Sequence, residues 1–165
     1  MRRLVATGRS DVGMVREGNE DALLLRDSVY AVADGMGGHL AGEVASATAL
    51  EPIEELDGRV FQDDTTAVTA LRDAVVAANE RVSQLAIENP DYRGMGTTLT
   101  VAILDWPQLN VAHAGDSRCY VDHDVQLRQL TRDHTIAQGL RDAGTTPRDE
   151  AGSSAQENTL WNVVG

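Results

Sequence analysis

Cysteine is almost missing from this 165-residue sequence: Cys119 stands alone, so no intrachain disulfide can form. Such usage fits a reducing cytoplasm, with Cys119 as a small core residue. Aromatic side chains are also scarce, at 4%, and Phe61 is the lone phenylalanine. The core must therefore be built from Val, Leu, Ile and Ala. Basic residues are outnumbered, 14 Lys and Arg against 26 Asp and Glu, giving a net charge of −12 and a pI near 4.6. A surface this acidic repels phosphate backbones and anionic lipids, which argues against nucleic-acid and membrane partners. Long apolar runs are absent as well. Met1-Arg2-Arg3 is followed only by Leu4-Val5-Ala6 before polar residues begin, far short of a signal peptide's apolar core. Nothing approaches the ~20 apolar residues of a membrane span.

What remains suits one soluble domain, with 42% apolar and 24% charged residues. Short strands are expected over residues 3–8 and 21–27. Val29 to Ala33, apolar throughout, predicts a strand buried on both faces. A helix is expected from Gly42 to Leu56, with Pro52 disturbing its middle. A second covers Asp63 to Asn89, where Val68, Leu71, Val75, Ala78, Val82 and Leu85 form one apolar stripe. Asp63 to Thr66 offer capping oxygens and Asn89-Pro90 a stop. Leu99–Leu104, Leu109–Ala114, Ser117–Val121 and Val125–Leu130 follow as an antiparallel meander turning at Asp105–Gln108 and Asp122–Asp124. Asp133 is placed to cap a helix from His134 to Ala143, ended by Gly144. The last twenty residues look loop-like. The order of elements predicts an α+β layered fold.

Chemistry concentrates at a few turns. Asp34-Gly35 closes the buried strand, followed by Gly37-Gly38. It could be a plain turn with Asp34 as a cap, or a hard-cation ligand held on a rigid strand end with glycines that let carbonyl oxygens come close. A dinucleotide fingerprint fails, because its third glycine would fall on Leu40 and a carboxylate at the turn repels pyrophosphate. Asn19-Glu20-Asp21 opens an earlier strand; neighbouring side chains there face opposite ways, so Glu20 and Asp21 cannot both point squarely at one ion. The planar fork of Arg16 suits a phosphate dianion. Gly115-Asp116-Ser117-Arg118 makes a turn between strands, and Gly94 to Thr98 a flexible strand entry whose hydroxyls could serve structure alone. His113, His123 and His134 lack metal-ligand spacing.

Together these segments resemble a known family. Ser10 to Asp21, Val32 to His39 with Ala41-Gly42-Glu43, Gly94 to Leu99, Ala114 to Arg118 and Leu130 to Thr135 are similar, in order, to the motifs of bacterial type 2C (PPM) metal-dependent Ser/Thr protein phosphatases. The resemblance spans about residues 10–135. It implies a four-layer α-β-β-α sandwich, two antiparallel sheets flanked by helices, incomplete here at the C-terminus. It also implies a site for two, or in some members three, Mn²⁺ or Mg²⁺ ions. By that resemblance Asp34 bridges two metals, the Gly35 carbonyl binds one, Glu20 and Asp21 hold metal-bound water, Arg16 grips the substrate phosphate, and Asp116 helps bind a third metal. Where some members carry a histidine as general acid, this chain has Met36.

The family's later Ser-Asp-Gly and Asp-Asn segments do not follow Asp133; Asp142 and Asp149 fall in the region that resembles its flap. The expectation is that residues 1–165 form the N-terminal two-thirds of one catalytic domain and are catalytically silent alone. The parent's implied activity is hydrolysis of phosphoserine and phosphothreonine in proteins, targets of a cognate kinase, by a metal-activated water. Cys119 is no rival nucleophile, because a Cys-x5-Arg loop would need Arg where Val125 stands. The alternative from another class is a phosphatase-like regulatory or binding module that turns over nothing.

Overall fold

A computed structural model describes residues 4–145 and 154–165. The elements are β1 (Asp21–Leu25), β2 (Val29–Met36), α1 (His39–Glu54), α2 (Asp64–Glu88), a 3₁₀ turn (Pro90–Tyr92), β3 (Gly96–Thr97), β4 (Leu99–Asp105), β5 (Gln108–Ala114), β6 (Tyr120–His123), β7 (Gln126–Gln129), α3 (Ile136–Asp142) and α4 (Ser154–Asn158). The fold class is α+β, with two antiparallel sheets and helices, as the sequence predicts. One sheet has five strands, ordered β1-β2-β4-β5 with β3 also on β2; the other is the β6-β7 pair.

The large sheet exists because its strands alternate. Val29, Ala31 and Ala33 of β2, with Leu99, Val101 and Ile103 of β4, point to one face and are buried. That face packs under α1, whose Ala41, Ala45, Ala49, Leu50 and Ile53 form the opposing stripe. Helix α2 lies on α1 and β5 through Ala67, Leu71, Ala74, Ala78 and Val82. The small residues along this seam let the helices approach closely. Asp63 caps α2, its Oδ1 accepting the Thr66 N–H at 2.8 Å.

Several expectations shift. Val32 is 38% exposed, as are Leu23 and Leu25 on the same face, so β2 is buried on one face only. Residues 4–8 form no strand, and none of the described residues pairs with them in a ladder; residue 3 lies outside the described residues. Pro52 falls in the last turn of α1 rather than its middle, the helix ending two residues later, and the helix starts at His39. In α2, Val68 faces outward while the buried stripe runs through Ala67 and Ala74. The expected meander divides: β5 ends the large sheet, and β6 and β7 pair apart from it, joined by a turn at Asp124 and Val125, both at positive φ. Thr135, not Asp133, caps α3, accepting the Gln138 N–H at 3.1 Å; Asp133 is held by Arg118 Nε at 3.0 Å instead. Cys119 is half-buried rather than a core residue. The end of the chain is not all loop: α4 forms, and Val164 docks beside Thr97 with 2% exposure. Asp149 lies outside the described residues.

Truncating Ile53, fully buried between α1 and the sheet, is expected to cost about 2–5 kcal/mol. Ile87→Ala on the exposed side of α2 should change stability by no more than ~0.5 kcal/mol. Urea unfolding of both variants checks the placement of the core; equal losses would contradict it.

Candidate functional site

Strands β1 and β2 run antiparallel with Asp21 directly opposite Asp34. Directly paired residues project from the same side of a sheet, so the register alone brings these two carboxylates together. Glu20 points the other way and is buried, 9% exposed. The sequence expectation that Glu20 and Asp21 diverge is therefore met.

Two glycines make the crowding at this strand end sterically feasible. A Cβ on Gly35 would lie 2.0 Å from the Gly42 carbonyl oxygen, and a Cβ on Gly42 would lie 2.1 Å from Glu20 Oε2. The first turn of α1 thus sits directly on the end of β2 with the Glu20 carboxylate beside it. The Gly35 N–H closes the contact by donating to the Glu20 carbonyl at 3.1 Å.

Asp21 is oriented by residues that the sequence did not single out. Ser10 Oγ donates to Asp21 Oδ2 at 3.0 Å, and Asn19 Nδ2 donates to Ser10 Oγ at 2.7 Å. The Asp21 N–H in turn donates to Asn19 Oδ1 at 3.0 Å. This last bond is an Asx turn, a signal legible in an Asn two residues before a strand-opening Asp. Asp34, Asp21, Ser10, Arg9 and Ser117 line a cleft of about 230 Å³ floored by Ala22, Leu23, Val32 and Ala33. Two larger hollows, about 590 and 730 Å³, lie along α1 and α2 away from these carboxylates.

Asp34 carries the electrostatic signature of the site. Burial and the neighbouring carboxylate of Asp21 push its pKa above the ordinary value, with smaller upward pushes from Asp116 and Glu20; Arg16 pulls it down. The five charged residues among the six predicted from the sequence therefore share one electrostatic neighbourhood. Asp116 stands on the turn after β5 and Arg16 on the exposed loop before β1. Of the three histidines weighed from the sequence, His123 is exposed beside Asp124, His113 Nδ1 meets Thr100 Oγ1 at 2.8 Å, and His134 Nδ1 accepts the Gly115 N–H at 3.2 Å.

The donor set here is oxygen only, which suits a hard divalent cation, and the mutual repulsion at Asp34 is what a cation would relieve. Among the described residues, however, no three His, Cys, Asp or Glu side chains converge tightly enough to enclose an ion. The donors fit a divalent metal in kind, and they form one side of a site rather than a closed cage.

The protein phosphatase 2C profile matches residues 7–139. The chain belongs to the protein phosphatase 2C family. It is 41% identical over 156 residues to the serine/threonine protein phosphatase PstP of Mycobacterium tuberculosis, covering 94% of this chain and 30% of that protein. It is 34% identical over 168 residues to the serine/threonine phosphatase stp of Listeria monocytogenes, covering 95% of this chain and 65% of the relative. The chain thus spans about a third of the mycobacterial protein and just under two-thirds of the Listeria one. The crystal structure of the M. tuberculosis phosphatase PstP/Ppp superposes with a TM-score of 0.87 at 39% identity, over 94% of this chain and 66% of that one. A PstP catalytic domain in complex with two manganese ions matches with a TM-score of 0.81 at 36% identity, over 94% and 64%.

The raised pKa of Asp34 carries a stability consequence in metal-free protein. A carboxyl whose folded pKa lies above its unfolded value of 3.8 favours the folded state while protonated, and that contribution is lost as pH rises through the folded pKa. Asp34→Asn, neutral at every pH, should therefore be more stable than wild type at pH 7 with a chelator present. The advantage should vanish below pH 3.8. Urea midpoints at several pH values test this; a variant less stable at pH 7 would contradict the crowding of charge.

Proposed function

We propose that this chain forms the phosphate-binding and part of the metal-binding side of a phosphoserine/phosphothreonine protein phosphatase. The observation that carries the reading is the gathering of Asp21, Glu20 and Asp116 around Asp34, with Arg16 supplying the opposing charge. Family membership and the likeness to named Ser/Thr phosphatases support it. Residues 1–165 are, on this reading, one partial catalytic domain. The cofactor would be Mn²⁺ or Mg²⁺, two or three ions in a complete domain, and the substrates phosphorylated proteins, targets of a cognate kinase, in the cytoplasm. No helix among the described residues is long and apolar enough to cross a membrane.

Each residue then has a task. Asp34 holds cations from the rigid end of β2, and the Gly35 carbonyl adds an oxygen beside it. Ser10 and Asn19 fix the rotamer of Asp21, so that it and Glu20 order water from two sides of the strand. Arg16 grips the substrate phosphate through charge-assisted hydrogen bonds, and Asp116 contributes from the opposite turn. Divalent ions bound there supply charge neutralisation and Lewis acidity. Met36, which follows Gly35, can neither donate nor accept a proton, so the proton for the leaving group comes from elsewhere.

One observation favours a second reading for the chain by itself. With no three ligating side chains converging among the described residues, the chain alone would bind phosphorylated partners without turning them over.

Three measurements test these readings. The 165-residue chain should be silent toward an aryl phosphate in millimolar Mn²⁺; turnover equal to that of a protein extended to its relatives' length would refute the account of incomplete ligands. In that extended protein Asp34→Asn should abolish Mn²⁺-dependent hydrolysis. Arg16→Ala should lower kcat/KM by about ten- to a hundred-and-fifty-fold, the value of a charge-assisted contact. An unchanged kcat/KM would make Arg16 a plain surface residue.

A further inference from the structure

The ladder between β2 and its neighbours changes its bonding at one point, and that point is Asp34. Strand β2 pairs with β4 through Val32 and Thr100, and with β3 through Gly35 and Thr97. Both ladders share one register, so Thr98, between β3 and β4, stands opposite Asp34. Half of the expected pair of bonds forms there: the Thr98 N–H donates to the Asp34 carbonyl at 2.9 Å. The return bond is replaced. The Asp34 N–H donates to the Thr98 hydroxyl, Oγ1, at 3.0 Å instead of to the Thr98 carbonyl. That carbonyl accepts the hydroxyl of Thr97 at 2.9 Å.

Both threonines are almost wholly buried, at 0% and 1% exposure. An unmet N–H or carbonyl in such a place is costly, so the two hydroxyls together are what allow the substitution. The Thr98 hydroxyl also reaches onward. Its Oγ1 lies 2.7 Å from Ser117 Oγ, a hydrogen bond in which either hydroxyl can donate, and Thr100 Oγ1 donates to the Ser117 carbonyl at 2.5 Å. The turn carrying Asp116 is pressed onto the same residue: a Cβ on Gly115, at φ 103°, would lie 2.5 Å from the Thr98 methyl.

We infer that Thr98 is a positioning residue that ties the main chain of Asp34 to the Asp116 turn and so sets the spacing of the two carboxylates at the metal site. Thr97 makes this possible by satisfying the carbonyl that Thr98 leaves open. The inference rests on the metal-site reading above. A valine at position 98 keeps the shape and the methyl contact with Gly115 but removes the acceptor for Asp34 and the link to Ser117. A serine keeps both.

The test uses the 165-residue chain, with Mn²⁺ as the probe, in wild type, Thr98→Val and Thr98→Ser. Amide hydrogen exchange at Asp34 is read by NMR and Mn²⁺ affinity by calorimetry. Thr98→Val should speed exchange at the Asp34 amide and weaken Mn²⁺ binding, each by roughly ten- to a hundredfold, the scale of a buried N–H left without a partner. Thr98→Ser should restore both to within about threefold, a rescue that mere loss of packing would not give. Ile53→Ala, destabilised in the core, should keep wild-type Mn²⁺ affinity. If Thr98→Val does not fold, Ser117→Ala cuts the other end of the link and should weaken Mn²⁺ binding while leaving the Asp34 amide protected. Wild-type affinity in Thr98→Val or in a folded Ser117→Ala, or a serine variant no better than valine, overturns the proposal. A wild-type chain that takes up no Mn²⁺ overturns the metal-site reading itself, and is distinct from a wild type that binds beside a valine variant that binds equally.

Discussion

Like charges held side by side must be paid for by the rest of the fold, and here the carboxylates of Asp21, Glu20 and Asp116 are brought around Asp34. None of them can move away easily. Asp21 and Asp34 are fixed by strand register, Glu20 by the first turn of α1, and Asp116 by a turn whose glycine packs on Thr98. What holds them is hydrogen bonding and packing of uncharged groups: Ser10 and Asn19 behind Asp21, the Gly35–Glu20 main-chain bond, and the hydroxyls of Thr97, Thr98 and Ser117. Arg16 pulls the other way on Asp34, from an exposed loop. An arrangement that keeps negative charge together against its own repulsion is one that a bound cation would relieve.

The rest of the architecture follows from that need for rigidity. Strand ends are precise only if the sheet behind them is packed, and Val29, Ala31, Ala33, Val101 and Ile103 supply the packing against α1. The small residues of α1 and α2 bring the two helices close over one face of the sheet. Its other face keeps Leu23, Leu25 and Val32 partly exposed. Asp21 and Asp34 open onto that second face, held in place by the packed face behind them.

Much of this was legible in the residues. The long period of α2 with Asp63 at its start, the apolar run ending in Asp34-Gly35, and the opposite facing of Glu20 and Asp21 all follow from local rules, and the structure agrees with them. The motif resemblance was legible for the same reason: Gly35, Gly42 and Gly115 mark places where the backbone meets another backbone, a carboxylate or a buried threonine, and such contacts permit few other residues. What was not legible depends on partners far away in the chain. Residues 4–8 have strand-like composition but pair with none of the described residues. Val32 looks buried on both sides of a strand until the packing shows only one face covered. Thr98 cannot be recognised as a partner of Asp34 without knowing the register that places them opposite each other, 64 residues apart. Asp133 was a reasonable cap until Arg118 claimed it.

The central claim is that the carboxylates around Asp34 are where this acidic chain takes up a divalent ion. Its most direct test is paramagnetic broadening of assigned amide resonances during addition of substoichiometric Mn²⁺. The account predicts that amides of residues 19–21, 34–36 and 115–117 broaden first and together. Broadening that begins instead at the acidic surface of Glu51, Glu55 and Asp63, with the Asp34 region unaffected, would contradict it.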